Sequence, residues 1–141
     1  MDTDERLQHA IGEAHSHLEC IVKLVAELEQ AESDEDDETE SARSAEDIRQ
    51  EIYEYPLELS VRFGWHSLGM AREHSTEEYR ILLSTGWPLV ELSGLLDQDS
   101  PLTVIMQAQD WNTPLVDVPV TDAQRKALLA FAQQFDFYAG D

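Results

Sequence analysis

The residues of this chain whose types and spacing could do chemistry are a group of histidines, one His and Asp beside tryptophans, and a long run of carboxylates. His9, His15 and His17 stand close together, and His15-Ser-His17 invites a metal reading. Helical geometry argues against it. Ligands on one helix face are three or four residues apart, whereas a separation of two turns the rings about 200° from each other. His15 and His17 are therefore expected to face solvent. His9 and Glu13, four apart, supply only two ligands. No metal or other cofactor is expected.

For acid–base chemistry, His66 after Trp65 and Asp110 before Trp111 are a His and an Asp that could serve as base and orienter. No serine or cysteine stands in a nucleophile motif such as Gly-x-Ser-x-Gly. The single Cys20 excludes an internal disulfide and is expected to pack as a small hydrophobe on a helix face. A glycine-rich phosphate loop is absent, and Asp34-Glu-Asp-Asp-Glu38 lacks the glycine and spaced ligands of a calcium loop. No catalytic residue is assigned, and the chain is expected not to be an enzyme.

The carboxylates are a stronger signal. Residues 27–54 hold thirteen of them against Arg43 and Arg49, a local net of −11 in a chain of 141 residues whose formal net charge is −21. Such a field repels nucleic acid and anionic membranes and attracts basic surfaces, above all phosphate-binding grooves. Asp34, Glu35, Asp36, Asp37, Glu38, Glu40, Glu46, Asp47, Glu51 and Glu54 are the candidate partner contacts. They either imitate a phosphate backbone or keep a linker solvated. The nine Lys and Arg are scattered, so direct nucleic-acid binding is not expected.

The elements that must position these groups follow from periodicity. Leu7, Ile11, Ala14, Leu18, Ile21, Val25 and Leu28 alternate at spacings of four and three, a helical heptad seam that Thr3 or Asp4 would cap. The seam either packs on the chain's own domain or pairs two copies as a short coiled coil. As a dimer seam it would use Leu7, Ile11, Leu18, Ile21, Val25 and Leu28. Residues 31–43 have no apolar side chain larger than alanine and read as a solvated linker. The expected organisation is a helical arm over 1–30, an acidic linker over 31–43 and an α+β domain over 44–141. Ser44 with Asp47 suggests a helix start, and Ile48, Ile52 and Tyr55 share a face before Pro56.

From Leu57 the period becomes two, through Leu59, Val61, Phe63 and Trp65, which predicts a half-buried strand. Further strands are expected at Tyr79 to Thr85, Leu89 to Leu96 and Leu102 to Trp111. They are joined by Gly86-Trp-Pro88 and Asp97-Gln-Asp-Ser-Pro101 turns. Thr121 caps a last helix with a stripe of Ala127, Leu128, Phe131, Ala132 and Phe135, and Phe135, Phe137 and Tyr138 form a closing strand or anchored tail. The fold class is α+β: an antiparallel sheet of four to five strands with a C-terminal helix, preceded by a long helix and a short one. Trp65 and Trp111 either end their strands in the core or form an exposed aromatic patch. Trp87, in a turn, is the expected exposed partner contact.

Hydrophobic residues make up 42% of the chain, and nothing approaches a membrane span. The start MDTDERLQ is acidic where a secretion signal would be basic and then apolar, so a bacterial cytoplasmic location is expected.

Val61-Arg-Phe-Gly-Trp-His66, Glu78-Tyr-Arg-Ile-Leu-Leu-Ser-Thr-Gly86, Gln109-Asp-Trp-Asn-Thr-Pro114 and Leu128-Leu-Ala-Phe-Ala-Gln-Gln-Phe-Asp-Phe137 occur in that order. Together they resemble a family of small acidic proteins of phages, prophages and other mobile elements of proteobacteria. The resemblance covers about residues 45–138. Gly86-Trp87-Pro88 departs from the Gly-Gly-Pro usual there, so this turn must accommodate a bulky residue. The resemblance implies a mobile-element accessory protein, a class that includes anti-CRISPR and anti-restriction inhibitors. The expected function is a non-enzymatic inhibitor or adaptor that binds the basic, nucleic-acid-binding surface of a host defence complex. The alternative is a homodimeric structural or assembly protein of the element.

Overall fold

A computed structural model describes residues 2–33, 44–62, 77–97 and 100–137. The heptad seam forms α1, Thr3–Ser33. Its cap is Asp2 rather than Thr3 or Asp4: the Asp2 carboxylate accepts the Glu5 N–H at 2.8 Å, and the Asp2 carbonyl accepts the Arg6 N–H. Ser44 caps α2, Ala45–Glu54, by accepting the Asp47 N–H at 3.1 Å. Ile48 and Ile52 of α2 are buried, and Tyr55 behind them is partly so.

The strands are β1 (Glu58–Arg62), β2 (Glu78–Ser84), β3 (Leu89–Asp97), β4 (Ser100–Pro101), β5 (Ile105–Gln109) and β6 (Val116–Asp117). They pair antiparallel in the order β1-β2-β3-β5-β6, with β4 on the end of β3. The helix α3, Asp122–Ala132, begins at Thr121 with a capping box completed by Gln124. The fold is α+β, as the periodicities predict.

Alternation sorts the sheet's side chains. Tyr79, Ile81 and Leu83, Val90 and Leu92, and Met106 and Ala108 are buried in a core that also takes residues from all three helices. Ser60, Arg80, Ser93 and Ile105, cross-strand neighbours in one row, face the other way.

Three sequence expectations are corrected. Leu18, Ile21, Val25 and Leu28 are buried within the chain, Leu7 and Ile11 are half-buried, and α1 packs on α3, α2 and β5. Of the seam's two readings, packing on the chain's own domain is the one found. For the same reason residues 1–30 are not a separate arm: one apolar cluster joins α1 to α2, the sheet and α3. The helix also continues to Ser33, into the segment expected to be linker, because Ala31, Glu32 and Ser33 carry nothing that stops it. The remainder of that linker, 34–43, lies outside the described residues.

The third correction concerns the first strand. Its alternation predicts a half-buried element, yet Leu57 and Leu59 are 60% and 41% exposed. Among the described residues β1 pairs with β2 alone, so it is an edge strand, in which Val61 packs against the core while Leu59 does not. Phe63 and Trp65 lie outside the described residues. The strand expected over Leu102 to Trp111 begins three residues later, after the short β4 pairing, and β6 is too short to show in a periodicity. Phe135 and Phe137 are buried without strand structure, an anchored tail, and Tyr138 lies outside the described residues.

Candidate functional site

Two turns at one end of the sheet bring tryptophans together. Trp87 sits in the β2–β3 connection, where Gly86 takes φ +75°, a left-handed conformation that a glycine adopts without a Cβ penalty. The Trp87–Pro88 peptide is cis. The Ser84 hydroxyl braces the same turn by donating to the Pro88 carbonyl at 3.3 Å. Trp111 sits in the β5–β6 connection, Asp110-Trp-Asn-Thr113. There the Thr113 N–H reaches the Asp110 carbonyl, the Thr113 hydroxyl oxygen accepts the Asp110 N–H at 3.0 Å, and Asn112 adopts φ 60°. The Gln109 side chain closes the turn by donating to the Thr113 carbonyl at 2.9 Å.

The indoles meet edge to face, with centroids 6.1 Å apart and planes at 74°. They remain 48% (Trp87) and 58% (Trp111) exposed. Trp87 therefore stands at the surface as its turn position predicts. Of the two readings of Trp111, the exposed patch is the one found, with Trp87 as its neighbour; Trp65 lies outside the described residues.

The pairing of Asp110 with His66 falls outside the described residues. Among them, the Asp110 carboxylate meets His9 Nδ1 at 3.0 Å while accepting the Trp111 N–H at 2.7 Å. Arg6 donates to the Trp111 carbonyl at 3.2 Å. Burial alone would raise the Asp110 carboxyl, but the Trp111 N–H, the His9 ring and the Arg6 charge together hold it below the ordinary carboxylate range. Its oxygens are committed to fixing α1 against the Trp111 turn. Sequence reasoning missed His9 as the partner because the two residues are 101 positions apart and no local pattern links them.

The other histidines divide. His15 is exposed, as expected. His17 is not: its Nδ1 lies 2.7 Å from the Tyr55 hydroxyl, and its Nε2 is 3.6 Å from Glu13. Glu13 and His17 are one helical turn apart, and the end of α2 brings Tyr55 over them, a tertiary contact that helical spacing could not foretell. Desolvation lowers the His17 pKa, partly countered by Glu13. Burial, with Cys20 and Glu13 nearby, raises the Tyr55 hydroxyl above its ordinary range. Cys20 itself is exposed rather than packed, since it falls outside the positions that the seam buries. Among the described residues no group of three or more His, Cys, Asp or Glu is arranged to hold a metal ion.

The expected acidic contacts fall into two sets. Asp34, Glu35, Asp36, Asp37, Glu38 and Glu40 lie outside the described residues. Glu46, Asp47, Glu51 and Glu54 are exposed on α2, Glu46 and Glu54 opposite the buried Ile48 and Ile52 and Asp47 and Glu51 toward their flank. Arg49 of α2 bonds Glu32 of α1 at 2.8 Å and ties the two helices together. Glu46 to Glu54 spans about 12 Å of helix axis at the usual rise. Four carboxylates over that length give about one charge per 3–4 Å of axis, at uneven steps of one, four and three residues, against roughly 3.4 Å of axis per phosphate along one nucleic-acid strand.

The open face of the sheet holds a groove of about 740 Å³ with Arg80, Glu91, Leu95 and Ile105 in its lining. Among the described residues its charges answer one another, Arg80 Nε lying 3.7 Å from Glu91 and Arg62 meeting Glu78, so these leave no surplus charge of either sign to select a ligand.

No protein family, curated protein or solved structure matches the chain. Among the described residues no helix is long and apolar enough to cross a membrane.

Proposed function

We propose that the chain is a non-catalytic binding protein that occupies a basic, nucleic-acid-binding surface on a partner protein. The observation that carries this reading is α2, whose Glu46, Asp47, Glu51 and Glu54 face solvent from a helix pinned by Ile48, Ile52 and the Arg49–Glu32 bond. A mimic of a phosphate backbone needs charges held in fixed positions, and a packed helix holds them so. The chain's net −21 adds fast, salt-sensitive encounter with a cationic surface. Exposed Trp87 offers the apolar anchor that electrostatic steering alone lacks. The use of Asp110 as a structural acceptor supports a binding role over acid–base chemistry. With the resemblance to mobile-element proteins, the target class is a host defence complex, and the action is inhibition or adaptation by occupancy.

The test is capture from a proteobacterial lysate at low and moderate salt. Wild type is compared with a variant carrying Glu46→Gln, Asp47→Asn, Glu51→Gln and Glu54→Gln. Retention of a nucleic-acid-binding complex by wild type, released by salt and by competing DNA and lost from the variant, is the expected result. The same proteins retained equally by both would remove α2 from the interface and overturn the reading.

A further inference from the structure

We propose that Trp87 and Trp111 form an aromatic corner that receives an arginine side chain from the partner's basic surface. This rests on the binding reading above and deepens it, by naming what the aromatic end of the sheet recognises.

The argument begins with the cost of the arrangement. Two indoles left about half exposed forgo burial that most tryptophans take, and an exposed pair of large rings marks a contact surface more often than a lone one does. Their positions are braced. Ser84 holds the Trp87 turn, while Asp110, Thr113, Gln109 and Arg6 hold the Trp111 turn. With the planes at 74° and the centroids 6.1 Å apart, the edge of one indole lies against the other's face, and the two ring planes stand nearly perpendicular. An indole face carries the negative lobe of the ring quadrupole, so the part of each face left open to solvent attracts a cation.

Charge decides between a cationic and an apolar occupant. The chain as a whole is at −21, and Asp2, Asp4 and Glu5 stand exposed in and beside the first turn of α1, whose Arg6 touches the Trp111 turn. Arg6, the cation that touches the Trp111 turn, is outnumbered by these three acids and the Asp110 carboxylate. A positive side chain is therefore drawn to this end of the molecule. Arginine suits it better than lysine, because a planar guanidinium stacks on one ring while its edge still donates hydrogen bonds, and it gives up its hydration more easily.

The experiment titrates the full chain with nona-arginine, nona-lysine and a nona-citrulline control. Wild type is compared with Trp87→Leu, Trp111→Leu and the corresponding Phe variants, each checked by circular dichroism. Leucine keeps apolar surface and removes the ring face, so nona-arginine should bind about three- to tenfold more weakly to each Leu variant, with Phe intermediate. The salt slope should stay unchanged, and nona-arginine should bind more tightly than nona-lysine. Equal affinity of wild type and Leu variants for nona-arginine would overturn the proposal, as would a matching Trp dependence with the citrulline peptide. The neutralised α2 variant in the same titration separates the two readings. It lowers the salt slope if the acidic helix meets the basic surface, whatever the tryptophans do.

Discussion

His9 on α1 and Asp110 at the end of β5 meet at 3.0 Å and lock the first helix to the turn that carries Trp111. The carboxylate is almost fully buried and also accepts the Trp111 N–H, so removing its charge leaves donors without an acceptor. Asp110→Asn should lower stability by about 2 kcal/mol at pH 7, the usual scale for hydrogen bonds to a charged group. The Asp110 carboxyl titrates below its ordinary 3.8, so the stability it contributes is fully present above that pH and is lost as pH falls through the lower folded value. Urea unfolding of both proteins should show a gap at pH 5 that closes toward pH 3. A gap independent of pH would mean that the charge of Asp110 contributes nothing.

His17 works in the opposite region of pH. Desolvation lowers its pKa below the ordinary 6.5, so the unfolded chain takes up a proton more readily than the folded one. Stability is therefore unaffected by this residue above pH 7 and falls as pH drops through 6.5 toward the folded value. His17→Gln keeps an acceptor for Tyr55 but cannot titrate. Thermal unfolding at pH 7.5 and 5.5 should show a smaller acid loss in the variant than in wild type, and equal losses would remove His17 from the pH response.

Much of the fold is legible in local pattern, and the contacts that make the site are not. The seam from Leu7 to Leu28, the Ser44 and Thr121 caps and the turns at Trp87 and Asp97 each depend on neighbours a few residues away, so spacing reveals them. What the seam packs against depends on the whole chain, because a heptad stripe of this length fits a sheet and a partner helix equally well. The Trp87–Trp111, His9–Asp110 and His17–Tyr55 contacts join residues remote in sequence, and they arise only once the sheet order and the path of α1 are set. The exposed Leu57 and Leu59 show the same limit, since alternation identifies a strand but not whether a helix covers its inner face.

Two glycines should respond in opposite directions to alanine. Gly12 lies on the exposed side of α1 with open space where a methyl group would go, so Gly12→Ala should stabilise the protein by about 0.5–1 kcal/mol through helix propensity. At Gly94 a Cβ would collide with the Thr103 carbonyl oxygen, which also accepts the Tyr79 hydroxyl at 2.6 Å. Gly94→Ala must push β3 away from the 102–104 segment or break the Tyr79 bond, at a cost of about 1–3 kcal/mol. Denaturant midpoints moving up for Gly12→Ala and down for Gly94→Ala are expected; a neutral Gly94→Ala would show that the 102–104 segment yields freely.

Ile21 tests the role of the seam. Its side chain is fully buried in the cluster that α1 shares with the sheet and α3. Truncation removes apolar contacts and leaves a cavity that helix and sheet can only partly close, so Ile21→Ala should cost about 2–5 kcal/mol. If the seam serves the chain's own core, that loss is the same at every protein concentration, because folding is unimolecular and no second copy enters the equilibrium. If the seam joined two copies, the midpoints of both proteins would rise with concentration, and light scattering would record a smaller mass for Ile21→Ala. Chemical unfolding over a hundredfold range of concentration, with scattering at each end, separates the two, and the expected outcome is a large, concentration-independent loss with no change in mass.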